Sequence, residues 1–232
     1  MARPVGDFDP SRYFRGEVDL GFYNVGTPAV RDLARAVYAA NRHQWSVHEA
    51  MEFAEPLLRD RYLEVKMVGV EVVRRFHRDF SRGLLNAWKR WLALGYSANW
   101  ATTDAICGEL IGPLLNAHTD LAERMRGWTR HRSLWVRRAA AVSLVAFARR
   151  GRSLDLVYAV ARALHPDRED LIHKAVGWLL REAGKTDSRR LERYLKQHGP
   201  SIPRTSVRYA IERMPPARRR RLLIVTRAVP SA

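Results

Sequence analysis

The chain has 232 residues, and its 41 lysines and arginines against 24 aspartates and glutamates give a net charge of +17 at neutral pH. Hydrophobic residues make up 47% of the chain, which is enough to fill a continuous core and excludes a disordered protein. Because the single cysteine, Cys107, excludes an internal disulfide framework and no run of about 18 uncharged apolar residues occurs, we expect a cytoplasmic protein with no membrane partner.

The predicted elements are helices. An irregular opening rich in Pro and Gly, residues 1–26, precedes segments in which apolar residues recur at helical spacing and Gly, Pro, Ser or Asn form the breaks. Thr27 before Pro28 predicts the N-cap of the first helix, and Ser46 with Glu49 forms a capping-box pattern. We expect helices near residues 27–40, 46–59, 61–77, 81–94, 98–115, 119–131, 133–149, 152–164, 168–183, 188–198, 203–213 and 216–227.

The helices repeat. Lys66, Arg138 and Lys174 hold equivalent positions in the segments LEVKMVGV, WVRRAAAV and LIHKAVGW, which are separated by 72 and 36 residues. A period near 36 residues made of two helices is typical of α-solenoids of the HEAT type. The sequence therefore predicts an all-α fold, a single HEAT-like domain over residues 1–232 with helical repeats over 27–227, curved around a concave basic groove.

The positive charge lies almost entirely in the second half. From His118 to the C-terminus there are 26 basic and 10 acidic residues, a net charge of +16, while residues 1–117 carry a net charge of +1. An excess of this size confined to one half indicates a polyanionic partner, and nucleic acid is the expected one.

The stretch from Leu171 to Lys185 sorts into two faces at helical spacing. One face is apolar, and the other is a basic row that contains a tryptophan: Lys174, Trp178, Arg181 and Lys185. At the repeat position of Trp178 the earlier segments have Val70 and Val142. Such a departure suits stacking on a base, with a bulkier core residue as the alternative.

A second group lies in the segment SANWATTD, where Trp100 and Asp104 are four residues apart and share one side of a helix. Taken singly, Trp100 suits packing and Asp104 suits a carboxylate favoured by the helix dipole. One step of 36 residues leads from Asp104 to the helix of Arg138. We therefore expect Trp100, Asp104, Arg138 and Trp178 to converge on one groove.

At these residues the chain resembles the AlkD family of DNA alkylation repair glycosylases, which are HEAT-like solenoids. The resemblance covers nearly the whole chain, through FYNVGTPAVRDLA, NWATTD, GPLL, LWVRRAA and HKAVGWLLREAGKTD. It implies that Trp100, Asp104 and Trp178 are catalytic and that Arg138 contacts the DNA backbone. The sequence departs from the family pattern at Ala101, where an acidic or amide residue often follows the first tryptophan.

The resemblance implies hydrolysis of the N-glycosidic bond of N3- or N7-alkylated purines in duplex DNA, by a monofunctional glycosylase that needs no cofactor or metal. We assign Arg138, Lys174, Arg181 and Lys185 to phosphate contacts, and we expect a nucleoid-associated monomer. Two other functions stay open: a non-catalytic repeat protein that recognises distorted or branched DNA, and a scaffold for an acidic protein partner. Tyr13 is a further residue that could lie against the DNA.

Overall fold

The computed structural model describes Phe14 and residues 20–227, and the regular structure in this part of the chain is helical apart from one isolated bridge between Gly21 and Tyr62. Tyr13 lies outside the described residues. The α-helices are Thr27–Asn41 (α1), Val47–Arg59 (α2), Leu63–Arg74 (α3), Leu84–Ala93 (α4), Trp100–Ala105 (α5), Gly112–Ala117 (α6), Arg124–Trp128 (α7), Leu134–Val142 (α8), Val145–Arg149 (α9), Leu154–Ala163 (α10), Asp170–Thr186 (α11), Ser188–His198 (α12), Arg204–Ile211 (α13) and Pro216–Val225 (α14). A π-helical segment, Ile106–Ile111, joins α5 to α6, and 3-10 turns occupy His77–Asp79, Thr119–Glu123 and Gly199–Ser201.

The chain forms two compact units, Met1–Thr119 and Asp120–Ala232. In the first unit, α3 packs against α1 and α2 and also against α5 and the π segment. Its interior is apolar and includes Val70, Leu85, Trp88, Trp91 and Leu110, all fully buried. Burial of this apolar surface is the main stabilising contribution to the unit.

The second unit is organised around α11. This helix packs against α8 and α9 and against α13, and α10 and α12 pack against it as well. Its apolar face is buried through Ile172, Val176, Leu179 and Ala183, as the helical spacing predicts. Helices α3, α5, α8, α11 and α13, here called the repeat helices, begin at residues 63, 100, 134, 170 and 204. These intervals agree with the predicted period near 36 residues.

The predicted all-helical class is confirmed, and most predicted helices have an observed counterpart. The capping box at Ser46 is confirmed, because its backbone N–H donates to Glu49 Oε2 at 2.7 Å and its side chain accepts from His48. The predicted cap at Thr27 is wrong. Gly26 is the N-cap and Thr27 is already helical, which places Pro28 within the first turn, where a missing N–H has no cost.

Two of the three equivalent basic residues are buried, and each joins two segments of the chain by hydrogen bonds. Lys66 donates from Nζ to the carbonyls of Leu58 at 2.6 Å and Tyr96 at 2.8 Å, and Arg138 donates from Nη1 to the carbonyl of Leu171 at 2.5 Å. Burial lowers the pKa of Lys66. At these two positions the basic side chain therefore donates to a main-chain carbonyl just before or within the next repeat helix: Tyr96 before α5, and Leu171 in α11.

Gly177 lets α11 and α13 approach closely. A Cβ atom at this position would lie 2.4 Å from Tyr209 Cβ and 2.8 Å from the Ser206 carbonyl oxygen. The Ser206 hydroxyl donates to the His173 carbonyl at 2.8 Å in the same interface. Backbone atoms cannot move aside as a flexible side chain can, so this contact requires glycine.

We predict that Gly177→Ala destabilises the protein by about 1–3 kcal/mol, because the added methyl group overpacks the α11–α13 contact. Helix propensity alone gives the opposite sign, since alanine is favoured over glycine. The matched control is Gly127→Ala in α7, where a Cβ would meet nothing within 4 Å. Urea unfolding should show a loss for the first variant and none for the second, and equal midpoints would contradict the prediction.

A buried histidine lies between α10 and α12. His165 is 6% exposed, and its Nε2 is 2.9 Å from the Tyr194 hydroxyl. Burial, with the positive charges of His198 and Arg162 nearby, lowers the pKa of His165 from 6.5 to about 4. The folded protein therefore holds this imidazole neutral under conditions in which the unfolded chain binds a proton.

His165 should make the protein sensitive to acid. Its stabilising contribution is complete above pH 6.5 and is lost as the pH falls toward 4, by up to about 1.4 kcal/mol per pH unit, because only the unfolded chain is protonated in that interval. Urea unfolding between pH 7.5 and 4.5 should therefore show a smaller loss for His165→Gln than for the wild type. His48→Gln, at an exposed histidine, is the control. Parallel curves for all three proteins would exclude this role.

Candidate active site

Asn99 holds the first turn of α5 in place. Its side-chain oxygen accepts from the Thr102 N–H at 2.8 Å, and its amide donates to the Ser97 carbonyl at 2.8 Å and to Thr102 Oγ1 at 3.0 Å. Thr103 Oγ1 donates to Ser97 Oγ at 3.0 Å. Ser97, Asn99, Thr102 and Thr103 are all fully buried. They form a polar network whose members satisfy one another.

This network faces the interior and leaves the other side of the turn for Trp100 and Asp104. Both are half-buried, so neither the indole nor the carboxylate is sealed in the core of its unit. The residue before the cap, Ala98, has φ +50°, a left-handed conformation that a non-glycine residue adopts only when its surroundings impose it. The hydrogen bonds of Asn99 and the constrained backbone of Ala98 therefore both fix the first turn of α5.

A π-helical segment begins two residues after Asp104. The π-helix is rare, usually a single turn inside an α-helix, and frequent at functional sites. Here Ile106, Cys107, Leu110 and Ile111 are fully buried within it. The widened turn keeps apolar side chains in the core while the preceding turn presents Trp100 and Asp104 outward.

Trp100 also has an aromatic partner from the N-terminal region. Phe14 stacks on it with ring centroids 5.2 Å apart and an angle of 15° between planes, and Phe22 lies 5.2 Å from Phe14. Stacking of this kind restricts the orientation of the indole. Behind it, Ala101 and Phe22 help to line a mostly apolar cavity of about 350 Å³. Ala101, where the sequence departs from the family pattern, therefore forms part of the wall of this cavity.

In the second unit, Trp178 is half-buried, whereas Val70 and Val142 at the equivalent repeat positions are 0% and 4% exposed. Trp178 is thus less completely buried than the valines at the equivalent positions, and its stacking on a base stays a prediction. Gly177 and the close packing of α13 hold the backbone of α11 at this point.

The cations of the predicted basic row all have acidic partners. Lys174 pairs with Asp170 at 2.7 Å, Arg181 with Glu212 at 2.6 Å, and Lys185 with Glu182 at 2.8 Å. The hydrogen bond from Lys174 lowers the pKa of Asp170 more than burial raises it. Lys174 and Lys185 are 41% and 50% exposed, and the Arg181 side chain is 20% exposed.

Arg138 is placed differently from the other predicted phosphate-binding residues. It is 5% exposed in its unit, and one guanidinium nitrogen is bound to the Leu171 carbonyl at the start of α11. The structure gives it a role in holding α11, and its contact with the DNA backbone stays a prediction. The convergence of Trp100 and Asp104 with Trp178 also stays a prediction, because the first two lie in one unit and the third in the other.

Sequence reasoning missed two residues that organise the site. Asn99 is a common N-cap type directly before Trp100, so the cap could have been predicted from the local sequence. Glu182 is fully buried yet binds three cations, and its position three residues before Lys185 was the available signal.

Over Phe14 and residues 20–227, no group of three or more His, Cys, Asp or Glu side chains is placed to hold a metal ion. Over the same residues, no helix combines the length and the apolar character needed to cross a bilayer.

The observations define an all-helical repeat protein that presents an indole and a carboxylate on one turn of α5 and a second indole in a row of cations on α11. Comparison with known families extends this description: the model of the DNA alkylation repair enzyme family matches residues 10–214. The chain belongs to this family, which gives it a role in the repair of alkylated DNA and confirms the resemblance found in the sequence.

Among solved structures, the chain is similar to one described as a predicted DNA alkylation repair enzyme from Enterococcus faecalis. The TM-score is 0.77 at 19% sequence identity, over 89% of this chain and 93% of that one. At this identity the similarity establishes the fold. No curated protein matches the sequence significantly.

We predict that Asn99→Ala lowers the free energy of unfolding by about 1–2 kcal/mol, because it removes the acceptor of the Thr102 N–H and the donor to the Ser97 carbonyl and Thr102 Oγ1. Asn99→Ser retains a capping oxygen and should lose less. Thermal unfolding measures both variants. A loss for Asn99→Ser as large as that for Asn99→Ala would show that the cap is not the stabilising feature.

Proposed function

We propose that the protein is a monofunctional DNA glycosylase that hydrolyses the N-glycosidic bond of N3- or N7-alkylated purines in duplex DNA. The observation that carries this proposal is the turn of α5, where a buried polar network holds Trp100 and Asp104 together on its accessible side. Membership in a DNA alkylation repair family supports DNA carrying alkylated bases as the substrate.

The lesion itself explains why tryptophans suit the site. A purine alkylated at N3 or N7 is cationic, and the face of an indole attracts a cation by about 0.5–2 kcal/mol. We propose that Trp100 and Trp178 both act on the alkylated base and so favour it over neutral bases. The half-buried state of both rings supports this role.

Asp104 supplies the charge that the reaction needs. As the glycosidic bond stretches, positive charge develops on the sugar, and a fixed carboxylate stabilises that oxocarbenium-like state and orients the attacking water. The cationic base is a good leaving group, so the bond breaks without a strong general acid. The electron pair of the bond goes to the cationic base, which leaves neutral. Water adds at C1′ and loses one proton to solvent, so the products are the free base and an abasic site.

Binding to the DNA backbone is assigned to the second unit. The net charge of +16 from His118 onward supports phosphate contacts, for which Lys174 and Lys185 are the most exposed members of the basic row. These contacts set the register of the protein on DNA without reading sequence. The same charge supports a second function, a non-catalytic protein that binds distorted DNA, and the test below separates the two.

Base release from duplex DNA containing N7-methylguanine should fall by about 10²–10³-fold in Asp104→Asn, because a preorganised charge beside the reacting sugar is lost. The matched control is Glu109→Gln, which makes the same acid-to-amide change in the following π segment, on a side chain that is 41% exposed. It should retain activity within a few-fold. Abasic sites are scored by alkaline cleavage of the strand.

The binding of Asp104→Asn to undamaged duplex completes the test, and it should equal or exceed that of the wild type. Base release that is absent from the wild type, with tight and salt-sensitive DNA binding, would reject the glycosylase and favour the non-catalytic function. Equal base release by the wild type and Asp104→Asn would reject the role of Asp104.

A further inference from the structure

Glu182 is an acidic residue buried in the most basic part of the chain. Its side chain is 1% exposed and lies on α11 one turn after Trp178. Arg149 Nε donates to Glu182 Oε2 at 3.0 Å, and Lys185 Nζ donates to both carboxylate oxygens at 2.8 Å. These three residues are called the Glu182 cluster. Arg149 comes from α9, so the cluster ties two neighbouring helices together.

The cluster has an excess of positive charge at the surface. Arg181 Nε also lies 3.4 Å from Glu182, but its shorter ion pair is with Glu212 at 2.6 Å. Arg149 and Lys185 are therefore the two cations that Glu182 holds most closely. Arg149 and Lys185 are 60% and 50% exposed, so both present their charged groups to solvent. Two cations held on one carboxylate carry a net charge of +1, which suits a bound anion.

We infer that Arg149 and Lys185 form a phosphate-binding pair for the DNA backbone and that Glu182 is the positioning residue that holds the pair together. Arg149 is thereby assigned to DNA binding, whereas Arg181, mostly buried and bound by Glu212, is assigned to the structure of α11.

The place of the cluster on α11 suits a DNA strand. Seven residues separate Trp178 from Lys185, which is about 10 Å along the helix axis with a rotation that returns to nearly the same face. Phosphates in one strand rise about 3.4 Å per nucleotide. A strand that runs along α11 with its alkylated base at Trp178 would therefore pass a phosphate about three nucleotides away over the pair. This choice of lesion position rests on the proposed function, whereas binding of phosphate by the pair does not.

The carboxylate is charged when it performs this role. Burial raises the pKa of Glu182, but the hydrogen bonds from Lys185 and Arg149 and the positive charges of these residues lower the pKa by more than burial raises it. The pKa therefore lies below its ordinary value. Free lysine and arginine side chains lose considerable rotamer entropy when they bind a phosphate. The buried anion removes part of that entropy cost in advance, which is the advantage of preorganisation.

The decisive experiment is Glu182→Gln, because the two possible roles of Glu182 predict opposite changes in the affinity for DNA. If Glu182 only neutralises cations, its removal adds a positive charge and must strengthen binding to undamaged duplex DNA. If it positions the pair, binding weakens several-fold and the slope of log K against log salt becomes shallower by about one contact, although the net charge rises. Fluorescence anisotropy over a range of salt concentrations measures both quantities.

Arg149→Gln and Lys185→Gln keep the test valid if Glu182→Gln fails to fold. Each should lower the salt slope by about 0.9, the value for one phosphate contact. The control is Arg126→Gln, an arginine that is 51% exposed and paired with Glu123, a carboxylate that is itself exposed, and it should leave the slope unchanged.

Slopes for Arg149→Gln and Lys185→Gln equal to that of Arg126→Gln overturn the inference, and tighter binding by a folded Glu182→Gln overturns its positioning part. These measurements use undamaged DNA, so they are independent of base release. A wild-type protein that releases no base but shows the expected slopes would reject the proposed function and uphold the phosphate pair.

Discussion

The structure depends on hydrogen bonds from buried side chains to main-chain carbonyls near the ends of neighbouring helices. Lys66 binds the carbonyls of Leu58 and Tyr96, and Arg138 binds that of Leu171. The last carbonyls of a helix lack an intrahelical donor, and Lys66 supplies one to Leu58 at the end of α2. Arg138 instead links α8 to the first turn of α11. The bonds from Lys66 to Tyr96 and from Arg138 to Leu171 span 30 and 33 residues, so they hold the segment before α5 and the start of α11 against the preceding repeat helices. Helices α5 and α11 are the two that carry Trp100, Asp104 and Trp178.

Ion pairs also fix charged side chains in the candidate site. The cations of α11 are partnered by Asp170, Glu182 and Glu212, so their arrangement is set before any DNA arrives. Exposed pairs of this kind contribute little to stability, and their value lies in orientation. Asn99 does for the α5 turn what Glu182 does for the α11 cations: a buried polar group fixes accessible groups whose chemistry faces outward. Buried side chains therefore set the positions of the accessible side chains of the site.

Much of this was predictable from local pattern. The 3.6-residue periodicity identified the helices, the recurrence of LEVKMVGV, WVRRAAAV and LIHKAVGW identified the repeat, and Ser46 with Glu49 identified a capping box. Local pattern fails where the deciding contact is distant. The sequence does not show whether a basic residue at a repeat position is an exposed cation or a buried hydrogen-bond donor. For Arg138, the contact with the Leu171 carbonyl shows that it is a buried donor. Pairing of Thr27 with Pro28 suggested a cap, whereas Gly26 holds the extended conformation that a cap requires. The predicted convergence of Trp100 and Asp104 with Trp178 depends on long-range contacts that no spacing in the sequence encodes.

The π-helical segment after Asp104 separates two requirements that an unbroken α-helix would couple. In an α-helix each residue advances the chain by about 100°, so a one-residue insertion rotates everything beyond it by that angle. A wide turn absorbs such an insertion locally, within Ile106–Ile111. An inserted or deleted residue in this stretch can therefore leave the orientation of Gly112–Ala117 and that of the turn with Trp100 and Asp104 unchanged. Relatives that differ by a single residue in this stretch would keep the same outward-facing turn while repacking the interior behind it.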